Sequence, residues 1–78
     1  MIAPRERVIV AFHSTHDAIA FESACEKAGR DGRLIPLPRE ISAGCGLAWS
    51  APPGSEPDLM EILRTEGILA AQIKSCYI

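Results

Sequence analysis

Three side chains in this sequence can act as nucleophiles of sulfur chemistry, Cys25, Cys45 and Cys76, and their settings differ. Cys45 stands in the run Pro38-Arg39-Glu40-Ile41-Ser42-Ala43-Gly44-Cys45-Gly46, which is rich in residues that break regular structure. Gly44 and Gly46 on either side allow the backbone to come close to a sulfur substituent, so an accessible thiol is expected. The same position, just before a strand, also suits the commoner role of a small buried apolar residue. An odd number of cysteines with no close pair offers neither a disulfide framework nor a Cys-x-x-Cys motif.

A second group of polar residues, His13-Ser14-Thr15-His16, falls where a short apolar run stops. If chain folding brings that turn to Cys45, backbone N–H groups at a helix start and the Arg39 guanidinium would favour the thiolate over the thiol. Arg39 has two readings, a loop clamp onto carbonyls or Asp17, and an anion-binding group acting with Ser14 and Thr15. His13, His16 and Cys45 have the chemistry of zinc or copper ligands, but His-x-x-His across a strand end is no defined metal spacing. Two solvated histidines are the expectation, with no metal and no cofactor.

The elements that position these residues follow from spacing. Val8, Ile9 and Val10 make Arg7 to Phe12 a central strand. Ser14 with Asp17 predicts a capped helix over Thr15 to Ala28, with Ala18, Phe21, Cys25 and Ala28 on its apolar face and Gly29 as its stop. Arg33 to Leu37 is a short strand whose proline places it at a sheet edge. Gly46 to Ala51 is a third strand, ended by Pro52-Pro53-Gly54. A second helix starts near Ser55, where Ser55 and Asp58 repeat the capping spacing; its stripe of Leu59, Ile62 and Leu63 stops at Gly67. Ile68 to Ile78 is the last strand.

This order is the split βαβ arrangement of an α+β, ferredoxin-like βαββαβ sandwich: a four-stranded antiparallel sheet with two helices on one face. Strand 1 lies in the middle between strands 3 and 4, with strand 2 at an edge. That topology puts the end of strand 1, the start of helix 1 and the start of strand 3 at one end of the sheet, so His13 to His16 face the loop carrying Cys45. Cys76 falls at the opposite end, which forbids a Cys45–Cys76 disulfide. Cys25 is expected in the core. Trp49 belongs either to the core or, if it faces away from the helices, to an interface. An open sheet face, or the edge of strand 4, gives two routes to a homodimer.

The segments Phe12-His13-Ser14-Thr15-His16-Asp17-Ala18, Glu22, and Leu34 through Ala48 with its Pro-Arg-x-Ile-Ser-x-x-Cys-Gly run resemble the selenium/sulfur (Se/S) carrier protein-like family of small domains. The resemblance covers about the first two thirds of the chain. It implies that Cys45 holds sulfur or selenium as a persulfide or selenosulfide, received from donor proteins and passed to acceptor proteins. Within that reading Arg39 stabilises the anion, Ser42 donates a hydrogen bond, and Glu40 points to solvent, since a carboxylate beside the sulfur would oppose the thiolate. Pro52-Pro53-Gly54 and Cys76 have no place in the pattern. Two other classes stay open: a small-anion or metabolite-binding regulatory module at the helix 1 start, and a plain protein-interaction domain.

Composition bounds all three. The 78 residues suffice for a single domain, residues 1–78, and 47% hydrophobic with 23% charged residues is ordinary for a globular one. One Trp, one Tyr and two Phe predict an aliphatic core. A net charge of -2 with scattered cations gives no footprint for nucleic acid. No apolar run reaches membrane-span length, and the start Met1-Ile2-Ala3-Pro4-Arg5-Glu6-Arg7 is too polar for a signal peptide, so a cytoplasmic location is expected.

Overall fold

The computed structural model describes residues 5–78. The reading of a polar start at Met1 to Pro4 lies outside them. Six elements follow one another: β1 (Glu6–Phe12), α1 (Thr15–Lys27), β2 (Arg33–Pro36), β3 (Leu47–Ala51), α2 (Glu56–Glu66) and β4 (Ala70–Tyr77). The strands form one sheet in the order β2-β3-β1-β4, with every neighbouring pair antiparallel. This is the α+β, ferredoxin-like arrangement, and the proline-bearing β2 occupies an edge because Pro36 has no N–H to give a further neighbour.

Alternation along β1 divides the molecule into two packed layers. Val8, Val10 and Phe12 face the helices, where they meet Ala18, Phe21 and Cys25 of α1, Leu59 and Leu63 of α2, and Trp49 and Ala51 of β3. Trp49 is thus a core residue. The expected aliphatic core is corrected at its centre: the Phe12 and Phe21 rings meet tilted at 49° with centroids 5.3 Å apart, and Phe21 meets Trp49 edge-on at 6.0 Å. Few aromatics suffice when three of the four converge, because each buries far more area than an aliphatic side chain.

The second layer was not foreseen. Ile9, Ala11, Ala48 and Cys76 point to the other sheet face, and the connection between β2 and β3 folds across them, seating Ile41 against them with Leu37 and Ala43 packed beside it. Part of the face expected to stand open is therefore covered by the loop that carries Cys45. The chain tolerates so long a connection because Ile41 anchors it, and burying such a side chain contributes roughly 1.5–3 kcal/mol.

Local signals explain most boundaries. Ser14 caps α1 by accepting a hydrogen bond from Asp17 N–H at 3.2 Å, and Gly29 at φ 70° closes the other end, with Arg30 N–H donating to Cys25 O. Ser55 does not repeat this. Its backbone is already helical (φ -81°, ψ -10°), which turns the hydroxyl away from the free N–H groups, and no side-chain cap forms. β4 starts at Ala70, later than expected, because Ile68 N–H is spent on Leu63 O in closing α2. A register shift opposite Ala11 and Phe12 then leaves Ala71 as an extra residue in β4.

Candidate functional site

The site is built where the β1–α1 turn meets the β2–β3 loop. The turn is set by Phe12 at the end of the central strand, Ser14 as cap and Thr15 as first helical residue. Gly44 then lies so near this turn that a Cβ placed on it would stand 2.9 Å from His13 O, so only glycine lets the two segments touch without displacement. One residue on, the Cys45 sulfur accepts a hydrogen bond from Leu47 N–H at 3.3 Å and lies 3.6 Å from Thr15 Oγ1. The sequence expectation that folding delivers this sulfur to the amino end of α1 corresponds to that contact.

A rotating hydroxyl suits both protonation states. The thiol can donate to Thr15 Oγ1, and the thiolate can accept from it while Leu47 N–H continues to donate.

Accessibility departs from expectation. Cys45 is only 4% exposed and belongs to the helix-side core cluster that also holds Phe12 and Trp49, with Leu47 packed against it. The flanking Gly44 and Gly46 are exposed, so backbone rather than sulfur meets solvent. The physical reason is that a thiol is small and weakly polar and fills a gap in an apolar layer as readily as a methyl-bearing side chain.

The other singled-out residues divide. Ser14 spends its hydroxyl on the α1 cap, leaving Thr15 as the turn's contact to sulfur. Ser42 and Arg39 are exposed, and among the described residues neither side chain forms a hydrogen bond or ion pair; the groups at the sulfur are the Thr15 hydroxyl and Leu47 N–H instead. Arg39 thus does not clamp Asp17, whose carboxylate lies 3.8 Å from His16 Nδ1. His13 and His16 are exposed, and no three or more His, Cys, Asp or Glu side chains converge among the described residues.

Two contributors escaped the sequence reading. Leu47 acts through its main chain, which no side-chain pattern announces. Ile41 is the one large apolar residue between Pro38 and Cys45, and that isolation was the available signal of an anchor.

The remaining thiols are equally buried but lie away from this turn. Cys25 lies in the core on α1, where burial pushes its pKa up to about 11, partly offset by Arg30. Cys76 pairs in register with Arg7, at the far end of β1 from Cys45, and its pKa is raised by burial and then by Glu40, against the opposing charge of Lys74. All three cysteines are free thiols.

Comparison with known proteins agrees with the resemblance drawn from the loop. An uncharacterized protein of Escherichia coli (strain K12), YtiA, is 38% identical over 63 residues, covering 78% of this chain and 74% of that protein. No solved structure matches. The family described as "Putative Se/S carrier protein-like" matches residues 7–75, from the first strand through the last, and the chain belongs to that family.

Proposed function

We propose that this domain is a sulfur or selenium carrier whose working group is the Cys45 thiolate. The observation that supports it most is the paired contact at that sulfur, Leu47 N–H at 3.3 Å and Thr15 Oγ1 at 3.6 Å, beside the first turn of a capped helix. Membership of a family described as Se/S carrier protein-like supports the same reading.

In the loading step the Cys45 thiolate attacks the outer sulfur of a donor's persulfide. A new S–S bond forms on Cys45, the donor's S–S bond breaks, and the donor leaves as its thiolate. In delivery an acceptor thiolate attacks the outer sulfur and Cys45 is returned as thiolate. Neither exchange needs an outside oxidant or reductant. Because the sulfur is covered, loading requires the exposed Gly44–Gly46 backbone to lift as the donor docks. Thr15 and Leu47 hold the thiolate before attack and after release. Donor and acceptor proteins are the partners, and the cytosol, where thiols stay reduced, is the compartment. No helix among the described residues is long and apolar enough to cross a membrane.

The reading of an anion site at the α1 start draws less support, since the Ser14 hydroxyl is occupied by the cap and no hydrogen bond ties Arg39 to the turn.

The test is incubation with glutathione persulfide followed by mass spectrometry of the intact chain and its peptides. One added sulfur on Cys45 is expected. It is lost in Cys45→Ser, retained in Cys25→Ser and Cys76→Ser, and slowed in Thr15→Val. An adduct spread evenly over the three cysteines, or absent from Cys45, would overturn the carrier role.

A further inference from the structure

The sheet face away from the helices is covered only at one end. At the other end, where β1 begins and β3 finishes, lies a cleft of about 410 Å³ lined by Arg5, Arg7, Arg33, Ile35, Ser50 and Ile78. The register explains the gathering: Arg33 pairs with Ser50, Ser50 pairs with Ile9, and Arg7 precedes Ile9 by two residues on the same face. Arg5 joins through the main chain, exchanging N–H···O bonds with Ile78 at 3.0 and 3.1 Å. Three of the eight cationic side chains of a chain with net charge -2 thus meet at one place.

None of these guanidiniums lies within ion-pair distance of a carboxylate among the described residues. Among the described residues the ion pairs are His16–Asp17, Arg30–Asp58 and Arg64–Glu61, and none involves Arg5, Arg7 or Arg33. The preceding residues Met1 to Pro4 contain no carboxylate side chain. Glu40, whose charge acts on Cys76 across the same sheet face, is not part of the cleft lining. Like charges so gathered repel one another, and an anion between them relieves that repulsion.

One guanidinium is also held in place. Arg7 Nε donates to Ser50 Oγ at 2.9 Å and Arg7 Nη2 to Ser50 O at 3.4 Å, and Ser50 is itself buried. That fixes the plane of the fork while leaving Nη1 donors unused, the geometry in which arginine binds phosphate oxygens. Ile35 and Ile78 supply apolar wall. A volume of this size lies in the range of small-molecule sites, roughly 300–1,000 Å³, and exceeds what a lone oxyanion fills. We propose that the Arg5–Arg7–Arg33 cleft binds a small organic phosphate, its phosphoryl oxygens on the guanidiniums and its organic body against Ile35 and Ile78. The site is independent of Cys45, which lies at the opposite end of the sheet.

The experiment titrates the full chain with AMP, inorganic phosphate and adenosine, followed by NMR of backbone amides and arginine Nε–H groups. Saturable AMP shifts at Arg7, Arg33, Ser50 and Ile78 are expected. Phosphate binds more weakly at the same residues and adenosine does not saturate. The double variant Arg5→Gln, Arg33→Gln weakens AMP at least about tenfold with an unchanged melting temperature, while Cys45→Ser leaves AMP binding intact. Absence of shifts with both AMP and phosphate, or unchanged affinity in the double variant, would defeat the proposal. A short oligouridylate binding more tightly than AMP would replace it with a nucleic-acid surface.

Discussion

Each of the three thiols experiences a different balance of burial and partners, and their chemistry should diverge accordingly. Cys45 has a hydroxyl and a backbone N–H at its sulfur, whereas Cys25 has the aromatic core around it and only the charge of Arg30 in its favour. For Cys25 the folded pKa of about 11 stands above the value of 9.0 for a free thiol, so the folded state keeps a proton that the unfolded chain releases. Its contribution is complete below about pH 9 and disappears as pH rises through about 11. Two pKa units correspond to about 2–3 kcal/mol. Urea unfolding across this alkaline range should show that loss in the wild type and not in Cys25→Ala, after correction for the offset between them at neutral pH. Parallel curves would mean that Cys25 exchanges protons as freely folded as unfolded.

The two helices begin with the same spacing, serine followed three residues on by aspartate, yet only one serine caps. Ser14 has extended backbone (φ -145°, ψ 157°), which aims Oγ back at Asp17 N–H; Ser55 has helical backbone and cannot. Ser14→Ala should therefore cost about 1 kcal/mol in denaturant stability, and Ser55→Ala should leave it nearly unchanged. Equal losses from both substitutions would refute the distinction. Since Thr15 follows directly, fraying of the α1 start would also loosen the hydroxyl from the Cys45 sulfur.

Across the whole molecule, the β2–β3 loop is shared between two packed layers. Cys45 fills a gap on the helix side while Ile41 packs on the opposite sheet face over Ile9, Ala11, Ala48 and Cys76. Loop position and thiol protection should rise and fall together. Ile41→Ala is expected to lower stability by about 2 kcal/mol and to speed alkylation of both Cys45 and Cys76, read by mass spectrometry under native conditions. Acceleration at neither cysteine would show that Ile41 does not hold the cover. The same cover bears on self-association: the open-face route to a homodimer is narrowed, and β4 remains an edge with Lys74 near its middle, a residue type that discourages strand pairing.

Read alone, the sequence determined the order and kind of all six elements, the antiparallel sheet with β1 inside, the burial of Cys25, and the meeting of the His13–His16 turn with the Cys45 loop. Those follow from local periodicity, capping residues and chain connectivity, which act over short separations and carry a fixed handedness. Tertiary structure alone decided that Cys45 is covered, that Thr15 and Leu47 rather than Ser42 and Arg39 reach its sulfur, that Ile41 closes part of the second face, and that Arg5, Arg7 and Arg33 share a cleft. Each of these depends on which residues face one another across strands and loops far apart in the chain, and periodicity within one segment carries no information about its distant partner's register.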